Sequence, residues 1–325
     1  MWSSRDTSAD IRMTGTPAAD EMGLETKSRE EIVRWLEQAG YRFSELKLVS
    51  EGNYAPEDSD WNYKDLVHLR FVHGQLAQLQ TAISPKINGA LQLQRMFGMW
   101  VPLIGLSYDA AKFHLVTVFT LFFFAVVVET RPEPISAGRT RVSTSYFIGA
   151  PLLFSPFIPV VKWALARNYR RLMKDDTPMR ERRGLLRSLG YKFRRDGETY
   201  GFTEMFDVMR NRLVVPERSI KLVHDYSALR KDGDEACFGD VGLLGFRLVR
   251  QQERIQVFPR ACPHQGASLD QVACRSGTLS CPWHGRRIPP LAAFRFNEDV
   301  DFAVERYRFR TSGLQLTVEY TSTGS

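Results

Sequence analysis

"ACPHQGASLDQVACRSGTLSCPWHG", residues 261–285, sets two cysteines and two histidines on two short segments, Cys262-Pro263-His264 and Cys281-Pro282-Trp283-His284. Each segment offers one thiol and one imidazole. Structural zinc sites usually begin with CxxC or CxxxxC knuckles rather than CxH, so this spacing argues against them. Two thiolates and two imidazoles suit a [2Fe–2S] centre in which the thiolates hold one iron and the imidazoles the other. Neutral rings in place of two thiolates remove negative charge from such a cluster and raise its reduction potential. Gly266 and Gly285 follow the two segments. With no side chain there, backbone N–H groups are expected to approach the sulfides.

Around this stretch the sequence from Pro216 onward is a series of short strand-like runs with frequent turns: "SIKLVHDYSAL", "VGLLGFRLVR", "RIQVFPRAC" and "LQLTVEY". That pattern predicts an all-β unit over 216–325. The preceding half reads differently. Ser28-x-x-Glu31 is a capping-box pattern opening a helix that Gly40 closes, and "YRFSELKLVSEG" alternates as a strand does. Phe113–Phe147 reads as a hairpin around the turn-rich "TRPEPISAG". "VVKWALARNYRRLMKDD" reads as a long helix ending near Asp175, Asp176 and Pro178, and "YGFTEMFDVMRNRLVV" as a further strand. Residues 1–28 read as a tail and 29–215 as an α+β unit.

"CPHQGASL" and "CPWHG" closely resemble the Rieske family, in its oxygenase and ferredoxin branch. The respiratory branch carries an additional disulfide-forming cysteine in each loop, where this chain has Ser268 and Trp283. The resemblance implies Cys262, His264, Cys281 and His284 as ligands of a [2Fe–2S] cluster.

A Rieske cluster only moves electrons, so a receiver is needed. Two of the six histidines, His68 and His73, lie in "DWNYKDLVHLRFVH". An i, i+5 pair can aim both rings at one point, and an added carboxylate gives the 2-His-1-carboxylate face that holds non-haem Fe(II). Asp65-x2-His68-x4-His73 resembles the iron-site motif of Rieske non-haem iron oxygenases. There the two histidines are ligands and the preceding Asp relays electrons from the cluster; Asn62 fits the pattern loosely. The resemblance places the carboxylate on a long helix about a hundred residues on. "DDTPM" offers Asp176 first and Asp175 next, with Glu204 and Asp207 as outside candidates. His114 and His224 read as structural.

The family's iron domain is a helix-grip (START-like) fold, an antiparallel sheet wrapped on a long helix over a cavity. The fold expected here is therefore α+β: such a domain, then an all-β Rieske domain, the reverse of the usual domain order. The resemblance implies an oxygenase with mononuclear Fe(II), drawing electrons from NAD(P)H through a separate reductase, with or without a ferredoxin. With O2 it would hydroxylate, demethylate or desaturate a hydrophobic small molecule, in a cavity lined by Phe122–Val128 and Tyr146–Phe157. A ring-shaped trimer belongs to the same expectation. The reading from another class is a Rieske electron carrier or lipid-binding protein without the mononuclear iron.

Only four cysteines, two of them at ligand spacing, fit a reducing, cytoplasmic chain. The N-terminus has no basic start followed by an apolar run, so no signal peptide is read there. Net charge is +7, which suits an acidic partner or an anionic surface. No interleaved basic and aromatic motif points to nucleic acid. Leu115–Val128 is too short to span a bilayer and reads as a buried strand. Phe147–Leu165 is broken by three prolines, and peripheral membrane contact remains an expectation. The basic run from Lys162 to Arg195 is read as a solvated helix face or a dock for an acidic ferredoxin or anionic lipid head groups.

Overall fold

The computed structural model describes residues 26–74, 76–96, 98–193, 198–203 and 213–322. Helix α1 (Arg29–Gln38) opens on the expected capping box: Ser28 Oγ accepts from the Glu31 N–H, and the Glu31 carboxylate accepts from the Ser28 N–H at 2.7 Å. Strand β1 (Tyr41–Gly52) follows, then α2 (Pro56–Lys64) and the one-turn α3 (Leu69–Val72). A meander comes next: β2 (Leu76–Ile83), β3 (Ile87–Met96), β4 (Met99–Ala111), β5 (His114–Leu121), β6 (Phe124–Ser136) and β7 (Arg139–Pro151). All seven strands form one antiparallel sheet in the order β1-β7-β6-β5-β4-β3-β2.

Helix α4 (Ile158–Ser188) is 31 residues long, about 46 Å at 1.5 Å per residue. Its first half packs Val161, Ala164 and Leu165 against Val126, Val128 and Ile148 of the sheet. This is the expected helix-grip arrangement. Two details differ from the sequence reading. The apolar run 115–129 is not one strand but two, β5 and β6, turning at Phe122-Phe123. No Gly, Asn or Asp marks that turn, so composition hid it. The long helix also does not stop near Asp176; it runs through Pro178 to Ser188. Proline removes only one intrahelical hydrogen bond, and the buried face beyond it holds the helix together.

"TRPEPISAG" is mostly strand rather than turn. Pro132 and Pro134 pair with β7, while β5 ends opposite Thr130, so both prolines lie where β6 has lost its other neighbour. The strand read over 200–215 falls largely outside the described residues, with Val214 in an isolated bridge to Lys192.

The rest of the chain is sheet: β8 (Ile220–Asp225), β9 (Glu235–Gly239), β10 (Gly245–Gln251), β11 (Arg254–Pro259), β12 (Leu279–Ser280), β13 (Arg287–Ile288), β14 (Ala292–Arg295), β15 (Asp301–Val304), β16 (Tyr307–Ser312) and β17 (Gln315–Tyr320). They form two four-stranded sheets, β14-β11-β10-β9 and β15-β16-β17-β8, and the small pair β12-β13. Leu186 at the end of α4 enters the core of this unit with Phe246 and Phe309. Trp61 of α2 and Met179 of α4 share a second core with Cys262, Cys281 and Trp283. The two halves of the chain are thus packed directly on each other at the cysteine loops. Among the described residues no helix is long and apolar enough to cross a membrane.

Candidate metal centres

The two Cys/His loops are built alike. In the first, the Gly266 N–H donates to the Cys262 carbonyl and the Cys262 N–H to Ala267; in the second, Gly285 donates to Cys281, and Cys281 to Arg286, all at 2.8–2.9 Å. Both glycines take positive φ, +84° and +65°, which non-glycine residues adopt only at a cost. A Cβ on Gly266 would stand 2.4 Å from Leu186, and one on Gly285 2.4 Å from the Phe71 ring. Their N–H groups therefore close the turns, and the missing side chains make room for α4 and α3.

Cys262, His264 and Cys281 are buried, and the side chain of His284 is too. The two imidazoles stand with centroids 4.9 Å apart, edge to face. Burial, with the charge of His284 nearby, pushes His264 down to about 3, so its ring is neutral as a metal ligand requires. A hydrogen bond from the Cys281 thiol draws Cys262 down to about 7. Neither nitrogen of His264, nor Nδ1 of His284, has a hydrogen-bond partner. Buried polar atoms are rarely left so. Two thiols and three orphaned ring nitrogens fit a [2Fe–2S] group. All four cysteines are free.

A second centre lies across the boundary. His68 and His73 flank the single turn of α3, as its first and last cap residues. Asp176 approaches from α4. One ligand atom from each of the three lies within 4.8 Å of the others, and all three residues are buried. His73 Nε2 is 3.0 Å from Asp176 Oδ1 and His68 Nε2 is 3.4 Å from it. Asp175, the second carboxylate candidate, instead contacts His73 Nδ1 at 3.3 Å, fixing the ring from behind. Glu204 and Asp207 lie outside the described residues.

Burial opposes the charge on Asp176, yet the two facing imidazoles and the charge of the nearby Arg180 guanidinium hold its carboxyl well below the usual range. His68 makes no hydrogen bond through either ring nitrogen. An ionised carboxylate and two imidazoles, one of them without a hydrogen-bond partner, fit a divalent metal ion.

Asp65 joins the two centres. Its Oδ2 is 2.6 Å from His284 Nε2 and 3.9 Å from His68 Nδ1, inside the same chain. Burial works against its charge, but the facing His284 ring holds the carboxyl below its ordinary value.

Sequence reading missed the frame around these groups. Asp176, Arg180, Arg183 and Arg187 recur at i, i+4, i+7 and i+11 of α4, one helix face. Arg180 donates to the Asn62 Oδ1, and the Asn62 amide donates to Asp176 at 3.3 Å. Arg183 pairs with Asp58 at 2.7 Å, reaches Gln265 of the first cluster loop, and lies over the Phe193 and Trp61 rings. Arg180 and Arg183 have no exposed surface. This part of the basic run is therefore neither solvated nor a docking face; carboxylates and amides of α2 and the cluster loop enclose it. The heptad spacing was the signal available in the sequence. His114 lies against Glu129, and His224 stacks on the Phe238 ring.

A cavity of about 260 Å³ adjoins the triad, between α4 and the sheet. Of the residues expected to line it, only Val128 and Tyr146 do. Phe122, Phe123, Leu152, Leu153 and Phe157 are exposed instead, because they belong to turns at the sheet's end. The lining mixes Leu103, Leu115 and Leu165 with Asn88, Thr144 and Tyr169. The last three present buried oxygens that lack a partner.

A family profile for the Rieske [2Fe–2S] domain matches residues 221–293. The chain thus carries a Rieske domain in its C-terminal part. No curated protein matches the chain. Solved structures that it resembles include a protein of Thermus thermophilus, at 16% identity and a TM-score of 0.37 over 45% of this chain and 99% of that one. A Zhui aromatase/cyclase from Streptomyces aligns at 9% identity and a TM-score of 0.38, over 44% and 96% of the two chains. A START superfamily protein from Mycobacterium smegmatis aligns at 14% and 0.36, over 42% and 97%.

Proposed function

We propose that this chain is a Rieske-type non-haem iron oxygenase. It takes O2 and externally supplied electrons and hydroxylates, demethylates or desaturates a mainly apolar small molecule. One observation carries the reading: Asp65 stands 2.6 Å from His284 of the cluster loop and 3.9 Å from His68 of the buried His68-His73-Asp176 triad. A carrier that only passed electrons onward would have no use for a second buried ligand set on the inner side of its cluster.

His68, His73 and Asp176 would hold a ferrous ion, which would supply O2 activation there. The chain's own residues do the rest. Asp176 remains ionised through Arg180 and Asn62. Asp175 fixes the His73 ring from its far side. Asp65 takes a hydrogen bond from His284 Nε2, so Nδ1 is the nitrogen that would hold the cluster. Buried in its turn between His284 and His68, Asp65 is a polar link from cluster to triad, and it lies within a single chain. The route therefore needs no neighbouring subunit, although ring assembly is what the family resemblance implies.

The cavity beside the triad takes the substrate. Its apolar wall favours a hydrophobic body, while the oxygens of Asn88, Thr144 and Tyr169 favour a hydroxyl or carbonyl upon it. Electrons come from a reductase or ferredoxin.

Metal analysis with electron spin resonance after anaerobic purification tests the reading. About three irons per chain are expected, two in the cluster and one in the triad. Asp176→Ala should lower the count to about two and leave the cluster's spectrum unchanged. About two irons in the unaltered chain, unchanged by Asp176→Ala, would make the protein an electron carrier or lipid-binding module instead.

A further inference from the structure

The hairpin between β5 and β6 turns on Phe122-Phe123 alone, with Leu121 paired to Phe124. Phe122 sits at φ +53°, in the first turn position, where glycine is ordinarily required. A bulky residue there is strained, and this one is also 71% exposed. Water gives no reason to hold a strained phenyl ring in the open, so an apolar surface that receives it is the simplest account.

The tip is not alone. Ala125 of β6 pairs with Gly149 of β7, so the loop that leaves β7 at Pro151 projects from the same end of the sheet. That loop exposes Leu152 and Leu153, the latter at 78%. Phe123 stacks on Phe154 at 4.3 Å, tying the two projections into one platform. Phe157 and Trp163 continue it along the start of α4, both exposed. Along the segment that builds most of it the charge has one sign. Residues 147–174 contain no Asp or Glu but do contain Lys162, Arg167, Arg170, Arg171 and Lys174. A groove lined by Trp163, Arg167, Arg171 and Arg95 adjoins the platform.

We infer that this end of the molecule docks on an anionic lipid bilayer, inserting the Phe122-Phe123 tip and Leu152-Leu153 at headgroup depth with the arginines against lipid phosphates and carboxylates. Aromatic and aliphatic tips ringed by cations match the interface of such a membrane. A second copy of the chain fits poorly, because a two-fold pairing of this end would set arginine against arginine. The platform lies about 27 Å along α4 from Asp176, so a docked molecule keeps its Rieske domain away from the lipid and open to a redox partner. The inference does not depend on the triad holding iron.

The test is sedimentation of the full chain with vesicles of phosphatidylcholine, with and without phosphatidylserine. Binding is expected to phosphatidylserine vesicles and to weaken as salt is raised. Phe122→Gly with Phe123→Ser installs a favoured turn pair, so the fold should keep or gain stability. This double variant should bind at least about tenfold more weakly. Arg167→Gln with Arg171→Gln should cost roughly fivefold per residue. The inference is overturned by absence of binding to phosphatidylserine vesicles, or by binding that the Gly-Ser variant leaves unchanged. It is equally overturned by a concentration-dependent dimer that this variant abolishes in a chain that ignores vesicles.

Discussion

The two candidate ligand sets of this protein are built in opposite ways. The cluster ligands lie within 23 residues of one another on twin loops, each closed by a glycine at positive φ. The triad draws on α3 and on a helix 103 residues later. Local turn chemistry fixes the first, because the backbone of each loop places its own Cys and His. Packing fixes the second, since Asp176 reaches His68 and His73 only while α4 lies at the right rotation against α2. The buried face Asp176-Arg180-Arg183-Arg187 sets that rotation and grips the first cluster loop at Gln265. One helix face thus aligns both centres.

Arg183→Met attacks this shared frame and should have the largest effect. Among the described residues it leaves the fully buried Asp58 with Arg187 alone as a cationic partner, and it should cost about 3–5 kcal/mol, read as a lowered unfolding midpoint. If the two centres are aligned by this face, iron in the triad and the cluster's spectrum should both change. A change in one alone would mean that they are held separately. Asp65→Asn, by contrast, should spare both metal contents and slow reoxidation of the reduced cluster by about 10- to 100-fold. Because the link is intrachain, mixing Asp176→Ala with His284→Ala chains should not restore turnover; recovery would show that the electrons cross between subunits. Gly285→Ala is the smallest and the most local change. Positive φ and the Phe71 ring together should cost about 1–3 kcal/mol, with partial recovery in Gly285→Ala/Phe71→Ala, as followed by the melting temperature.

The cluster loops were readable because every constraint on them lies in consecutive residues: the ligand types, their spacing and the glycines. His68, His73 and Asp65 were readable as a spacing beside a redox centre, and Asp176 through its place on a long helix. The Phe122-Phe123 turn was not, because an unbroken apolar run carries no turn residue. The basic run misled for a related reason. Composition cannot tell an arginine that faces water from one that reaches a buried aspartate across the fold, as Arg183 reaches Asp58 over 125 residues.

By itself, then, the chain's order of residues determined two sheet-containing units, the first with a long helix, and a set of thiols and imidazoles made for a two-iron cluster. Only the folded molecule decided that Asp176 rather than Asp175 faces both imidazoles. Only there does Asp65 touch His284, and only there do the cavity's polar oxygens stand without partners. The reason is physical: spacing along the chain fixes what lies within a turn or two, whereas contacts across a hundred residues depend on how helix and sheet rotate to bury their faces.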